Sequence, residues 1–107
     1  MFIEKNQYNI EGQKDGYWEH YYPDGNLESK GYYENDKAEG YWEDYYHDGG
    51  LFYKGHYIND YKDGYFEFYL PNSKLDSKGN FKENKREGYW EVYHTDGTLK
   101  AIYYYII

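Results

Sequence analysis

The feature that most constrains this chain is a repeat. Gly16, Gly40, Gly64 and Gly88 recur every 24 residues. Each is followed by Tyr-aromatic-Glu: Tyr17-Trp18-Glu19, Tyr41-Trp42-Glu43, Tyr65-Phe66-Glu67 and Tyr89-Trp90-Glu91. Tyr21, Tyr45, Tyr69 and Tyr93 keep the same phase, then Asp24-Gly25, Asp48-Gly49, Asn72-Ser73 and Asp96-Gly97. Leu27, Leu51, Leu75 and Leu99 follow, and Lys30-Gly31, Lys54-Gly55 and Lys78-Gly79 become Ile102-Tyr103 in the fourth copy. Tyr33, Tyr57, Phe81 and Tyr105 close the units. The chain therefore divides into a partial unit, 1–15, and four units, 16–39, 40–63, 64–87 and 88–107, forming one array over 1–107. A short period of this kind specifies one supersecondary unit that buries its apolar face against the next copy.

The unit is a β-hairpin. Aromatic residues make up 25% of the chain and Tyr alone supplies 19 of 107 positions, which favours strands over helices. Asp-Gly between two aromatic runs provides the positive φ of a tight hairpin turn. Asn35-Asp36, Asn59-Asp60 and Asn84-Lys85 mark the second connection, each ending at the repeat glycine. Two strands of about six residues then fill a unit.

Placing Asp24-Gly25 at the tip fixes the pairing. Glu19 faces Lys30, Glu43 faces Lys54 and Glu67 faces Lys78, three opposite-charge pairs. The same register sets Trp18 over Gly31, Trp42 over Gly55 and Phe66 over Gly79, with a ring covering a strand glycine each time. It also joins Tyr17 to Tyr32 and Tyr22 to Leu27. Trp18, Tyr22, Leu27, Gly31 and Tyr33 share one face; Tyr17, Glu19, Tyr21, Glu28 and Lys30 share the other. No segment remains to cover either. The expected fold is all-β: a single elongated, twisted antiparallel meander of eight or nine strands, roughly 40 Å long at the usual strand spacing.

Net charge is −8. Such a chain does not neutralise nucleic-acid phosphates or dock on anionic lipid, so a nucleic-acid partner is excluded and a membrane disfavoured. A basic protein partner fits the charge. There is no Cys, hence no disulfide, thiol nucleophile or thiolate metal site. Met1-Phe2-Ile3-Glu4-Lys5 lacks the apolar stretch of a signal peptide, so a cytoplasmic location is expected, or export if a signal segment precedes Met1.

Neither a metal nor a cofactor is expected. His20, His47, His56 and His94 fall at four different phases and do not converge. The Asp-Gly pairs suit turns, and the nearest approach to a calcium loop, Asn59 to Gly64, has Tyr61 in a ligand position. Glu19, Glu43, Glu67 and Glu91 form a repeated ladder rather than one distinctive constellation, so no catalytic residue is assigned and the chain is read as no enzyme. Ring rows can also stack on sugars.

These residues resemble the MORN repeat, in the variant common in small bacterial proteins. The match runs from Gly16-Tyr17-Trp18-Glu19-His20-Tyr21 through Asp24-Gly25, Leu27, Lys30-Gly31, Tyr33 and Asn35-Asp36 to Gly40, and recurs over residues 16–107. The third copy departs at Phe66 and at Asn72-Ser73; the N-terminal partial unit is one residue longer between its Tyr8 and Gly16. The resemblance implies an elongated sheet of successive hairpins and a non-catalytic interaction module, in some members associated with membrane lipid. It further implies an antitoxin, as small bacterial chains made only of this variant are often described.

The expected function is thus stoichiometric blocking of a basic toxin, as an antitoxin or immunity protein. The expected interface is Tyr17, Tyr21, Tyr41, Tyr45, Tyr65, Tyr69, Tyr89 and Tyr93, with Glu19, Glu43, Glu67 and Glu91 for charge steering. The alternative is a surface or scaffold protein that binds glycan, lipid or a host protein. The tail, with Tyr103, Tyr104, Tyr105, Ile106 and Ile107, is uncharged and strand-forming; it is expected to form a homodimer edge.

Overall fold

The computed structural model describes residues 4–106. Among these, nine strands form one antiparallel sheet in chain order: β1 (Gln7–Tyr8), β2 (Lys14–Tyr21), β3 (Leu27–Glu34), β4 (Lys37–Tyr45), β5 (Leu51–Ile58), β6 (Tyr61–Tyr69), β7 (Leu75–Lys82), β8 (Lys85–Tyr93) and β9 (Leu99–Tyr105). Each strand pairs only with its neighbours in sequence, as the repeat requires, and the sheet measures 47 × 34 × 25 Å. Apart from β1, the strands run to 7–9 residues, longer than the expected six. The repeat glycine explains the difference: Gly40 lies inside β4, at a bulge, rather than at its start.

The hairpin register is the predicted one through its body. Tyr17 pairs with Tyr32, Trp18 with Gly31 and Glu19 with Lys30; β4–β5 and β6–β7 repeat this. The tip differs. Tyr22 N–H donates to the Asn26 carbonyl at 2.8 Å and Gly25 N–H to the Tyr22 carbonyl at 2.9 Å, which makes Pro23-Asp24-Gly25 a three-residue loop with Gly25 at φ 93°. A bulge at Glu28 absorbs the extra residue, so Tyr21, not Tyr22, pairs with Leu27. Leu27 therefore lies on the Tyr21 face, opposite to the expectation. The Tyr22 phenol instead donates to the Tyr45 carbonyl of the next unit at 2.7 Å.

The second connection is a two-residue turn with positive φ at both positions: Asn35-Asp36 and Asn59-Asp60, as expected, but Glu83-Asn84 rather than Asn84-Lys85. Lys85 has already entered β8, where it pairs with Lys82. These turns also bind one unit to the previous one. The Asp36 carboxylate accepts Lys14 N–H at 2.6 Å while Asp36 N–H donates to the Lys14 carbonyl at 3.0 Å. Asp60 holds Ala38 in the same way, and Asn84 holds Lys62.

One face carries the core. Trp18, Trp42, Phe66, Phe81 and Trp90 are buried, with Phe66 and Trp90 sealed completely. Their rings alternate with Tyr8, Tyr33 and Tyr57 edge to face along the whole sheet: Trp18–Tyr33 at 5.8 Å and 87°, Tyr33–Trp42 at 4.9 Å and 76°, Phe81–Trp90 at 5.0 Å and 83°. Such contacts add to burial because the edge of one ring meets the electron-rich face of the next.

The ring that covers each glycine is not its hairpin partner. Gly31 lies under Trp42, Gly55 under Phe66 and Gly79 under Trp90, each ring arriving from the following unit. The bulge between β3 and β4 decides this. Lys30 pairs with Glu43 and Tyr32 with Glu39, leaving Gly31 alone opposite three residues of β4. Trp42 folds back into that space and its indole N–H donates to the Tyr32 carbonyl at 3.0 Å. Trp90 reaches the Asn80 carbonyl in the same way at 2.9 Å.

Candidate functional site

The opposite face is built from period-two positions of β2, β4, β6 and β8, so that Tyr, Glu and Tyr at alternate residues point the same way. The structure brings them into one motif per unit. Glu19 accepts the phenols of Tyr17, at 2.7 Å, and Tyr21. Glu43 accepts Tyr41, at 2.6 Å, and Tyr45. Glu67 accepts Tyr65 at 2.8 Å and Tyr69 at 2.5 Å. Glu91 takes Tyr93, whereas Tyr89 leaves the pattern and packs on Tyr104 with ring centres 4.7 Å apart.

A lysine completes each motif, again from an unexpected unit. Glu19 pairs with Lys5 at 2.8 Å, Glu43 with Lys30 at 3.5 Å, Glu67 with Lys54 at 3.4 Å and Glu91 with Lys78 at 3.4 Å. The predicted Glu19–Lys30, Glu43–Lys54 and Glu67–Lys78 ion pairs inside the hairpins are replaced by pairs between units. Lys30 stands in register with Glu19 on one side and Glu43 on the other. Lys5 and two phenols already hold Glu19, so the Lys30 ammonium turns to Glu43, and the choice propagates along the sheet.

These contacts tune both partners. The Lys5 ammonium, then the Tyr21 and Tyr17 phenols, hold the Glu19 carboxyl down at about 2. Burial pushes Glu43 and Glu67 up, but their phenols and lysines outweigh it and both end below the usual range. Burial, followed by the Glu19 carboxylate, raises Tyr17 to about 12; burial and Glu67 raise Tyr69 to about 12. Tyr41, Tyr45 and Tyr65 move up for the same reasons. Each glutamate of the row has a lysine counter-charge, so the −8 of the chain resides in side chains outside the row.

The face is open to solvent. Tyr21, Tyr41, Tyr65 and Tyr89 are exposed, Tyr89 at 71%. Shallow grooves separate the rings: about 350 Å³ beside Lys5, Tyr17 and Tyr32, 270 Å³ between Tyr17 and Tyr41, and 310 Å³ between Tyr41 and Tyr65. Tyr17, Tyr41 and Tyr65 in their walls are planar phenols fixed by hydrogen bonds to Glu19, Glu43 and Glu67, which suits broad, low-entropy contact. At the C-terminal edge, Tyr103, Tyr104 and Ile106 are exposed, and Tyr105 turns toward Arg86, whose guanidinium donates to its phenol at 3.1 Å. Ile107 lies outside the described residues.

The histidines are dispersed. His20 packs on the Trp face and meets the Tyr33 phenol at 2.9 Å, with burial and Lys14 holding its imidazole below the ordinary value. His47 reaches Asp24 at 2.8 Å. No group of His and acidic side chains able to hold a metal occurs among the described residues.

The sequence reasoning missed Lys5. Up to and including Tyr8 the chain runs one residue out of phase with the repeat, which concealed counterparts of Lys30 and Tyr33, with Asn6 in the place of Gly31. Lys5 supplies the ammonium, Asn6 takes positive φ and accepts Glu19 N–H at 2.8 Å, and Tyr8 meets Trp18 edge to face at 5.2 Å. Allowing a one-residue offset in the repeat alignment would have revealed it.

A family model described as the MORN repeat variant matches the chain four times, over residues 14–35, 38–59, 62–83 and 86–106. Comparison with curated proteins gives no match.

Proposed function

Since the chain belongs to the MORN repeat variant family, a family of repeat modules for binding, we propose that it binds a basic protein partner across its Tyr–Glu face. The specific role we assign is that of an antitoxin or immunity protein that blocks a toxin one to one. One observation carries this reading: Tyr21, Tyr41, Tyr65 and Tyr89 stand exposed on a face that no second layer covers among the described residues. Rigid tyrosines give large contact area without much loss of side-chain entropy. The −8 charge around them steers a cationic partner toward the sheet. The antitoxin role is our reading of the resemblance to small chains built only of this repeat variant.

Affinity capture from the native organism with mass spectrometry identifies the partner, and titration of the purified pair tests the face. Rising salt should slow association. Tyr41→Ala with Tyr65→Ala should speed dissociation by tenfold or more, the scale of about 1.4 kcal/mol or more lost at an interface anchor. Binding that ignores both salt and the tyrosines excludes this face. Capture of glycan or lipid instead of protein replaces the reading with the scaffold alternative.

A further inference from the structure

On the Trp face, three units carry a cation over their rings and one does not. Lys14, Ala38, Lys62 and Arg86 hold the same place in the repeat. Lys14 Nζ lies 5.5 Å from the Trp18 ring centre and 5.6 Å from that of Tyr33. Lys62 Nζ lies 5.8 Å from Phe81. The Arg86 guanidinium lies 4.6 Å from Trp90 and 5.6 Å from Tyr105. In the second unit the corresponding rings are Trp42 and Tyr57, their centres 6.4 Å apart, and the corresponding residue is the uncharged Ala38.

Ala38 opens onto a shallow, solvent-open cavity of about 220 Å³, walled by Tyr33, Trp42, Tyr53 and Tyr57 and lined on its polar side by Asp44 and Asp60. Asp44 is as unusual in the repeat as Ala38, because the other units place His20, Phe68 and Val92 there. Pairing with Ser29 and Tyr53 puts Asp44 on the ring face, half-buried. It has no ion-pair partner among the described residues. Lys62, the cation close enough to act on it, stands over Phe81. Burial raises its carboxyl above the usual range, against the Tyr53 phenol beside it and the Lys62 ammonium, both of which act to lower it. Tyr53 replaces the Ser29, Ser77 and Ala101 of the other units, and its phenol meets that of Tyr57 at 3.2 Å to close one wall.

Ring faces and a partly desolvated carboxylate together attract a cation that can shed its water. We propose that this cavity binds an alkylammonium or guanidinium group, which takes the place of the Lys14, Lys62 and Arg86 side chains in the other units. The group comes either from a free amine or from a lysine or arginine of a bound protein. The site lies on the face opposite the Tyr–Glu rows and stands without the interface proposed there.

Two-dimensional NMR of the intact chain tests it, with n-butylammonium and n-butylguanidinium as probes and n-butanol as the neutral control. The cations should give saturable shifts centred on the Trp42 indole N–H, with Kd of about 1–10 mM. n-Butanol should give none. Asp44→Asn should weaken the cations about fivefold, the factor a partly exposed ion pair supplies. Ala38→Lys should abolish binding, because the new ammonium fills the cavity from within. Equal shifts with n-butanol, undiminished binding by either variant, or no saturation up to about 50 mM overturns the site. If Ala38→Lys fails to fold, Asp44→Asn and n-butanol decide. An end-blocked Gly-Lys-Gly peptide separates the sources: binding at least as tight as n-butylammonium assigns the site to a protein side chain, and weaker binding assigns it to a free amine.

Discussion

The indole of Trp42 lies flat on Gly31, so close that a Cβ on Gly31 would stand 2.1 Å from the ring. These two residues belong to successive units, and Trp18, the strand partner of Gly31, leans away to donate its N–H to the Gln7 carbonyl at 2.9 Å. The repeat is thus held by rings that reach back one unit. Gly31→Ala should destabilise by about 3 kcal/mol, the upper end for overpacking, because a buried indole has nowhere to move. In a double-mutant cycle, Gly31→Ala should couple to Trp42→Ala and not to Trp18→Ala. Coupling to Trp18 in place of Trp42 would reverse the assignment.

The same test separates the lysine partners. Lys30→Ala with Glu43→Ala should show a coupling of about 0.2–1 kcal/mol, in the range of partly exposed pairs. Lys30→Ala with Glu19→Ala should show less, since Lys5 and two phenols hold Glu19. Equal couplings would mean that the ammonium divides its time between the two carboxylates in solution.

The Tyr–Glu motifs bound the stable pH range. Glu19 is depressed from 4.5 to about 2, so its contribution is present above 4.5 and lost as pH falls through 2. Tyr17 and Tyr69 are raised from 10.0 to about 12, so theirs is present below 10 and lost as pH rises through 12. Denaturant unfolding across pH should show declines at both ends. Tyr17→Phe should lift the Glu19 carboxyl toward its ordinary value by NMR titration; an unmoved Glu19 would remove the phenol from the motif.

Strand β9 places Ile102 where Lys30, Lys54 and Lys78 stand, and Tyr103 where Gly31, Gly55 and Gly79 stand. A unit of the same kind stacked on β9 would find neither the glycine for its tryptophan nor the lysine for its glutamate. The exposed Ile102, Tyr103, Tyr104 and Ile106 leave an apolar edge. Light scattering with size exclusion is expected to show a homodimer joined through this edge, which Ile106→Lys separates while β2 to β7 stay folded. A monomer at tens of micromolar excludes the dimer.

Much of the fold was legible. The strand order, the body of the hairpin register and the two faces apart from Leu27 follow from a period without gaps after Gly16, because each hairpin pairs residues close in sequence. The tip was misplaced because Asp24-Gly25 suits both a two-residue turn and the end of a three-residue loop. The bulge at Glu28 cancels the extra residue, so the body of the register is the same either way and could not reveal the loop.

The sequence by itself determined that each of the first three units would present a tryptophan or phenylalanine, a strand glycine, a glutamate and a lysine on fixed faces, and that the fourth would keep only the tryptophan and the glutamate. Only the tertiary structure decided which copies meet. Lys30 has a glutamate in register on either side, and Gly31 has an aromatic ring on either side, so pairing leaves both choices open. The bulge opposite Gly31 and the prior hold of Lys5 on Glu19 settle them, and both depend on how one unit stacks on the next. The cavity beside Ala38 has the same origin: Ala38, Asp44 and Tyr53 are ordinary substitutions in sequence, and only the folded sheet brings all three to one place without a cation of their own.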